Sequence, residues 1–185
     1  MSKIETNTID TVSGTTNLTI GSTNTSTITM PNGALSGQNY PAFLVHNTAN
    51  QDISDATDTK VTWSTETIDT DSAFDTTNNR FVVPSNKAGK YMFNGSIQTS
   101  SVGQSEYQYG FLIVHKNGSR VFQQMVDNRN NNLRQIPITF NCILDLAVSD
   151  YVEVFINLGT SGSDQRIAGD SSYIATWFSG YRIGA

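Results

Sequence analysis

The chain of 185 residues holds one cysteine, two histidines and four prolines. A single thiol, Cys142, excludes an internal disulfide. Its apolar neighbourhood, Phe140-Asn141-Cys142-Ile143-Leu144, reads as a strand that buries a small hydrophobe rather than one that exposes a nucleophile. One cysteine and two distant histidines, His46 and His115, cannot supply the ligand spacing of a zinc site. Each histidine falls at a strand end beside apolar residues and reads as packed or surface-placed. No Gly-x-Ser-x-Gly elbow and no paired acid/base signature occurs, which argues against an enzyme. Cations are scarce, 11 Lys and Arg against 16 Asp and Glu for a net charge of −5. That balance argues against a nucleic-acid partner, which needs clustered positive charge. Long hydrophobic runs are missing too, so no membrane insertion is expected. The opening Met1-Ser2-Lys3-Ile4-Glu5-Thr6 carries no apolar stretch of a secretory signal, and synthesis in the cytoplasm is the expectation. The four Asn-x-Ser/Thr sites at Asn17, Asn24, Asn94 and Asn117 then read as by-products of a chain rich in Asn, Ser and Thr.

What is present divides the chain in two. Residues 1–38 carry only three charges, Lys3, Glu5 and Asp10. Their apolar residues are sparse and regularly placed, and Leu18-Thr19-Ile20-Gly21 and Ile28-Thr29-Met30-Pro31 look like one unit repeated after ten residues. Each alternates apolar with polar, the period of a strand, and threonine favours extended backbone. Such a segment cannot fold alone. It is either a disordered tail or a docking and stem element ordered by pairing with its own copies or a partner, with Leu18, Ile20, Ile28 and Met30 as the contact residues.

Residues 39–185 form the second unit, an all-β domain. Strands are predicted over Pro41–His46, Val61–Trp63, Arg80–Pro84, Ala88–Ile97, Gln135–Leu146, Asp150–Asn157 and Ser172–Ile183, with a polar loop over Asn47–Lys60. Tyr109–Lys116 and Ser119–Val126 flank Asn117-Gly118, the strongest short hairpin signal. No sustained helical periodicity appears, so the pattern indicates a sandwich or jelly roll.

Four blocks then carry a resemblance. Phe81-Val82-Val83-Pro84 leads into Gly89-Lys90-Tyr91-Met92-Phe93; Lys116-Asn117-Gly118-Ser119-Arg120-Val121 follows; then come Val148-Ser149-Asp150-Tyr151-Val152-Glu153-Val154 and Trp177-Phe178-Ser179-Gly180-Tyr181-Arg182-Ile183. In this order they resemble the C1q-like, tumour-necrosis-factor-like jelly-roll superfamily over most of Pro41–Ala185. Three departures stand out. Four residues separate Pro84 from Gly89, Ser149 stands where glycine is usual, and Asn94-Gly95 follows Phe93 where an aromatic is usual. The repeat within 1–38 resembles stem repeats of bacteriophage fibre proteins. Together the resemblances imply a homotrimeric virion protein with a jelly-roll head behind a stem.

Candidate sites are few. Asp52, Asp55 and Asp58 recur every three residues in a loop; carboxylates in that setting suit calcium, but they equally make a solvated acidic loop, and no cofactor is expected. Asp69, Asp71 and Asp75 read the same way. Asn128, Arg129, Asn130, Asn131 and Arg134 lie in a polar connection whose side chains suit hydrogen bonds to a glycan or protein, or merely join two strands. Tyr109, Phe155, Tyr173 and Trp177 belong either to a trimer interface or to the core, and alternation alone does not decide.

Two functional expectations result. The first is a homotrimeric capsid decoration protein or short surface fibre of a phage virion, attached through residues 1–38 to capsid or tail proteins. The second is a receptor-binding tip that recognises a host surface glycan or protein.

Overall fold

The computed structural model describes residues 41–101, 107–131, 133–162 and 164–184. The boundary at residues 38/39 and the stem residues Leu18, Ile20, Ile28 and Met30 lie outside them. Among the described residues all regular structure is strand: β1 (Ala42–His46), β2 (Gln51–Asp52), β3 (Thr59–Lys60), β4 (Thr65–Asp69), β5 (Phe74–Asp75), β6 (Arg80–Val82), β7 (Gly89–Ser101), β8 (Tyr107–Lys116), β9 (Ser119–Asp127), β10 (Gln135–Leu146), β11 (Tyr151–Thr160), β12 (Gln165–Ile167) and β13 (Trp177–Gly184).

Two antiparallel sheets result. In the first, β10 pairs along the whole of one edge of β7, while β13 and β12 share the other edge; β1 and then β4 continue beyond β13, and β2 flanks β12. In the second, the order is β5-β6-β11-β8-β9, with β3 sharing the β6 edge of β11. The Asn117-Gly118 hairpin forms as its sequence predicts. Both residues have positive φ, 52° and 76°, which matches the twist of the flanking strands.

Aromatic side chains fill the space between the sheets. The Phe43 ring centroid lies 4.8 Å from that of Phe178 and 5.2 Å from those of Phe74 and Phe81. Phe93 and Tyr91 extend the cluster along β7, so Tyr91, Phe93 and Ile97 share the buried phase expected of them. Each such ring removes a large apolar area from water and adds edge-on or offset contacts.

Three sequence expectations shift. Val61–Trp63 is not a strand. Both apolar side chains are buried, but only the Val61 amide reaches a sheet, donating to Val154 O at 3.0 Å, while the Trp63 amide donates to Asn79 Oδ1 at 2.7 Å. The final strand begins at Trp177 rather than Ser172, because residues 168–176 fold back over residues 47–50. The stretch Asn47–Lys60 holds two short strands, β2 and β3, inside an otherwise irregular path.

The registers define two ends of the sandwich. At one end lie Pro41, the 117–118 hairpin and the 147–150 turn, joined across the sheets by Lys116 Nζ donating to Asp145 O at 2.8 Å. At the other lie residues 47–50, 128–131, 133–134, 161–162 and 168–176. There Ser101 N donates to Arg134 O, and Tyr107 bridges Leu133.

Candidate functional site

Cross-strand partners point to the same side of a sheet. On the first sheet, the buried positions Phe43, Phe93 and Phe178 face the core, so their neighbours face outward. One outward row runs Ala42, Tyr181, Met92, Ile143; the next runs Ile68, Leu44, Ser179, Asn94, Asn141; the third runs Thr65, His46, Trp177, Ser96, Thr139. No Asp, Glu, Lys or Arg occurs in these rows. Ile143 is 58% exposed, Ile68 48% and Tyr181 47%. Half-buried Met92 lies between Tyr181 and Ile143, so the first row is apolar from end to end, and Ile68 sits in the second row beyond Leu44.

The outer face of the second sheet has the opposite character. Lys60 pairs with Glu153. The His115 ring stacks on Phe155 at 4.3 Å. Arg120 Nη2 donates to Asp58 Oδ2 at 2.6 Å, and Asn157 Nδ2 donates to Asp58 Oδ1 at 2.8 Å. These groups cover one another, and Ile113 beneath them is only 1% exposed.

The four aromatics singled out from the sequence do not share a face. Tyr109 and Phe155 belong to the second sheet, Trp177 to the outer face of the first, and Tyr173 is 65% exposed in the 168–176 loop. The row through Tyr181, Met92 and Ile143 escaped the sequence reading. Its signal was an apolar residue in the outward phase of each strand, visible in Met92 between Tyr91 and Phe93.

The polar loop sits at the end remote from Pro41. Asp127, Asn128, Arg129, Asn130 and Asn131 line an open cleft of about 440 Å³. Asp127 anchors it. Its carboxylate accepts from the Arg129 amide at 3.1 Å and pairs with the guanidinium, Nη2 to Oδ2 at 2.8 Å. That amide and then the guanidinium hold the Asp127 carboxyl below the usual carboxylate range. The guanidinium lies 5.3 Å from the centre of the Tyr109 ring, a cation–π distance. Tyr109 in turn lies flat against Gly159, where a β-carbon would collide with its ring. Arg134 is exposed beyond the cleft rim and does not line it.

The remaining candidates disperse. Asp52 lies near Arg166, Asp55 accepts from Thr160 N and Gln165 Nε2, and Asp58 accepts from Arg120 and Asn157. Asp69 accepts from the Ala73 and Phe74 amides, Asp71 pairs with Lys87 and Asp75 with Arg80. No three His, Cys, Asp or Glu side chains converge as a metal site among the described residues. His46 Nδ1 lies 3.1 Å from Thr67 Oγ1. Cys142 packs against the core, and burial pushes its thiol up to about 11.

With the strand order and core in place, the chain can be set beside known proteins. No family model matches it, and no curated protein matches it. Among solved structures, the globular domain of zebrafish complement 1qA protein matches over 77% of this chain and 97% of its own length. The TM-score is 0.53 at 17% identity. The head has a C1q-like jelly-roll fold. At that identity the likeness concerns the fold alone, because one jelly roll hosts many roles.

Proposed function

We propose that the chain is a non-enzymatic structural protein of a phage virion, a homotrimer that serves as capsid decoration protein or short surface fibre. The observation that carries this reading is the outer face of the first sheet. A threefold assembly brings each side chain near its own copies. Charge at the centre of such an interface is repelled by itself, whereas exposed Tyr181 and Ile143, with half-buried Met92 between them, gain by burial. The outer face of the second sheet carries the Lys60–Glu153 and Arg120–Asp58 ion pairs, with exposed Met125 beside Phe111. The resemblance of residues 18–31 to fibre stem repeats supports attachment through the N-terminal segment. Pro41 enters the sandwich at the end opposite the 128–134 loop, so a head attached through its N-terminus would present that loop outward.

The test uses the full chain. Light scattering should give three times the chain mass, and labelled protein should appear at regular positions on intact phage particles carrying its gene. A monomer, or label absent from particles, refutes the reading. The cleft at the remote end favours a second reading, in which the head also recognises a host surface.

A further inference from the structure

We propose that the cleft lined by Asp127–Asn131 binds an uncharged carbohydrate, an inference that deepens the second reading above and rests on it. The loop is built rather than loose. Asn128 N donates to Gln108 O at 2.6 Å, and Asn131 N donates to Asn128 O at 2.8 Å. The Asp127 carboxylate bonds both the amide and the guanidinium of Arg129. Tyr109, seated on Gly159, supports that guanidinium from below. A site held this way loses little freedom on binding.

The chemistry of the lining selects the ligand. The volume of about 440 Å³ falls within the range of roughly 300–1,000 Å³ common to small-ligand sites. Every described lining residue carries a polar or charged side chain, so an apolar ligand would strip water from amides and return no hydrogen bonds. An anionic ligand fares no better. Arg129, the one arginine among the described lining residues, already holds a carboxylate in two contacts, and Asp127 would repel a second anion as strongly as Arg129 attracts it. Two neighbouring carboxamides remain. The side chains of Asn130 and Asn131 are exposed and make no hydrogen bond among the described residues, while Asn128 Nδ2 is enclosed behind them. A carboxamide donates through nitrogen and accepts through oxygen, which matches a hydroxyl group able to do both. Adjacent hydroxyls on a sugar ring present that pattern in series.

The test is binding of the intact protein to an array of uncharged hexose and N-acetylhexosamine oligosaccharides printed beside sialylated, sulfated and phosphorylated ones. We expect retention of uncharged glycans, little changed by raised salt. The Asn130→Ala/Asn131→Ala double variant should weaken it at least tenfold, with thermal unfolding and chain mass in solution unaltered. Asp127→Asn, which frees Arg129, should shift retention toward the acidic glycans. No bound uncharged glycan, retention confined to acidic ones, or full retention by the double variant overturns the proposal. Incorporation into particles is read separately, so loss of glycan binding in a variant that still joins the virion leaves the structural role standing.

Discussion

The carboxamide of Asn117 and the carboxylate of Asp150 are hydrogen-bonded at 2.7 Å, 33 residues apart in the chain. Asn117 also accepts from Tyr151 N at 2.9 Å, while Asp150 takes the Ala147 amide and the Lys116 ammonium. The hairpin turn is thus latched to the turn that opens β11. Asn117→Gly keeps the positive φ and the backbone bond to Tyr151 O but removes both side-chain bonds. It should cost about 1–2 kcal/mol in denaturant unfolding, the loss of two hydrogen bonds to polar and charged partners. An unchanged midpoint would mean that water replaces both.

Ser149, where C1q-like sequences usually place glycine, has φ 70°. Its amide donates to Val83 O at 3.0 Å, so the backbone is held in the left-handed region despite the side chain. Ser149→Gly keeps that bond and relieves the strain between Cβ and backbone, against some gain in unfolded-chain entropy. We expect a stabilisation of about 0.5–1 kcal/mol, measurable as a raised midpoint at unchanged slope.

Gly180 faces the aromatic core, and a β-carbon there would lie 2.6 Å from Phe93 Cδ1 and 2.8 Å from Phe43 Cε1. Both rings are enclosed by others and cannot swing away. Gly180→Ala should therefore destabilise by about 1–3 kcal/mol, seen as a lowered melting temperature.

Acid should act in two stages. Burial first, and then the Arg120 charge, lowers the affinity of His115 for a proton. The unfolded chain therefore takes up that proton first, and the stability present above about pH 6.5 declines as pH falls through the folded value. Hydrogen bonds from Asn117 to Asp150 and from Asn78 to Asp75 lower those carboxyls below their ordinary 3.8. Their contribution is complete above that value and disappears as pH falls through the folded ones. In melting curves against pH, His115→Gln should flatten the first stage and Asp150→Asn the second.

Tyr181→Glu places a charge in the first of the uncharged rows, beside Met92. Around a threefold axis that charge would meet its copies. The variant should remain folded by circular dichroism and sediment as a monomer. Retention of the wild-type mass by a folded variant excludes this face as the interface.

How much of the fold was legible depended on range. Asn117-Gly118 dictates its turn through its own backbone preferences, and β10 occupies the span, Gln135–Leu146, that its sequence predicts. Val61–Trp63 was misread because burial alternates there as in a strand, while its hydrogen bonds go to Val154 and Asn79. In the candidate site, Asn128–Asn131 stood out by composition. The supporting pair, Tyr109 on Gly159, is joined only by strand register.

By itself the sequence determined an all-β head, its central hairpin and its buried phase, since each follows from local periodicity and turn chemistry. Tertiary structure alone decided which rows stay uncharged and which face carries ion pairs. Those rows are assembled from residues as distant as Leu44 and Asn141, and pairing register, not spacing along the chain, brings them side by side.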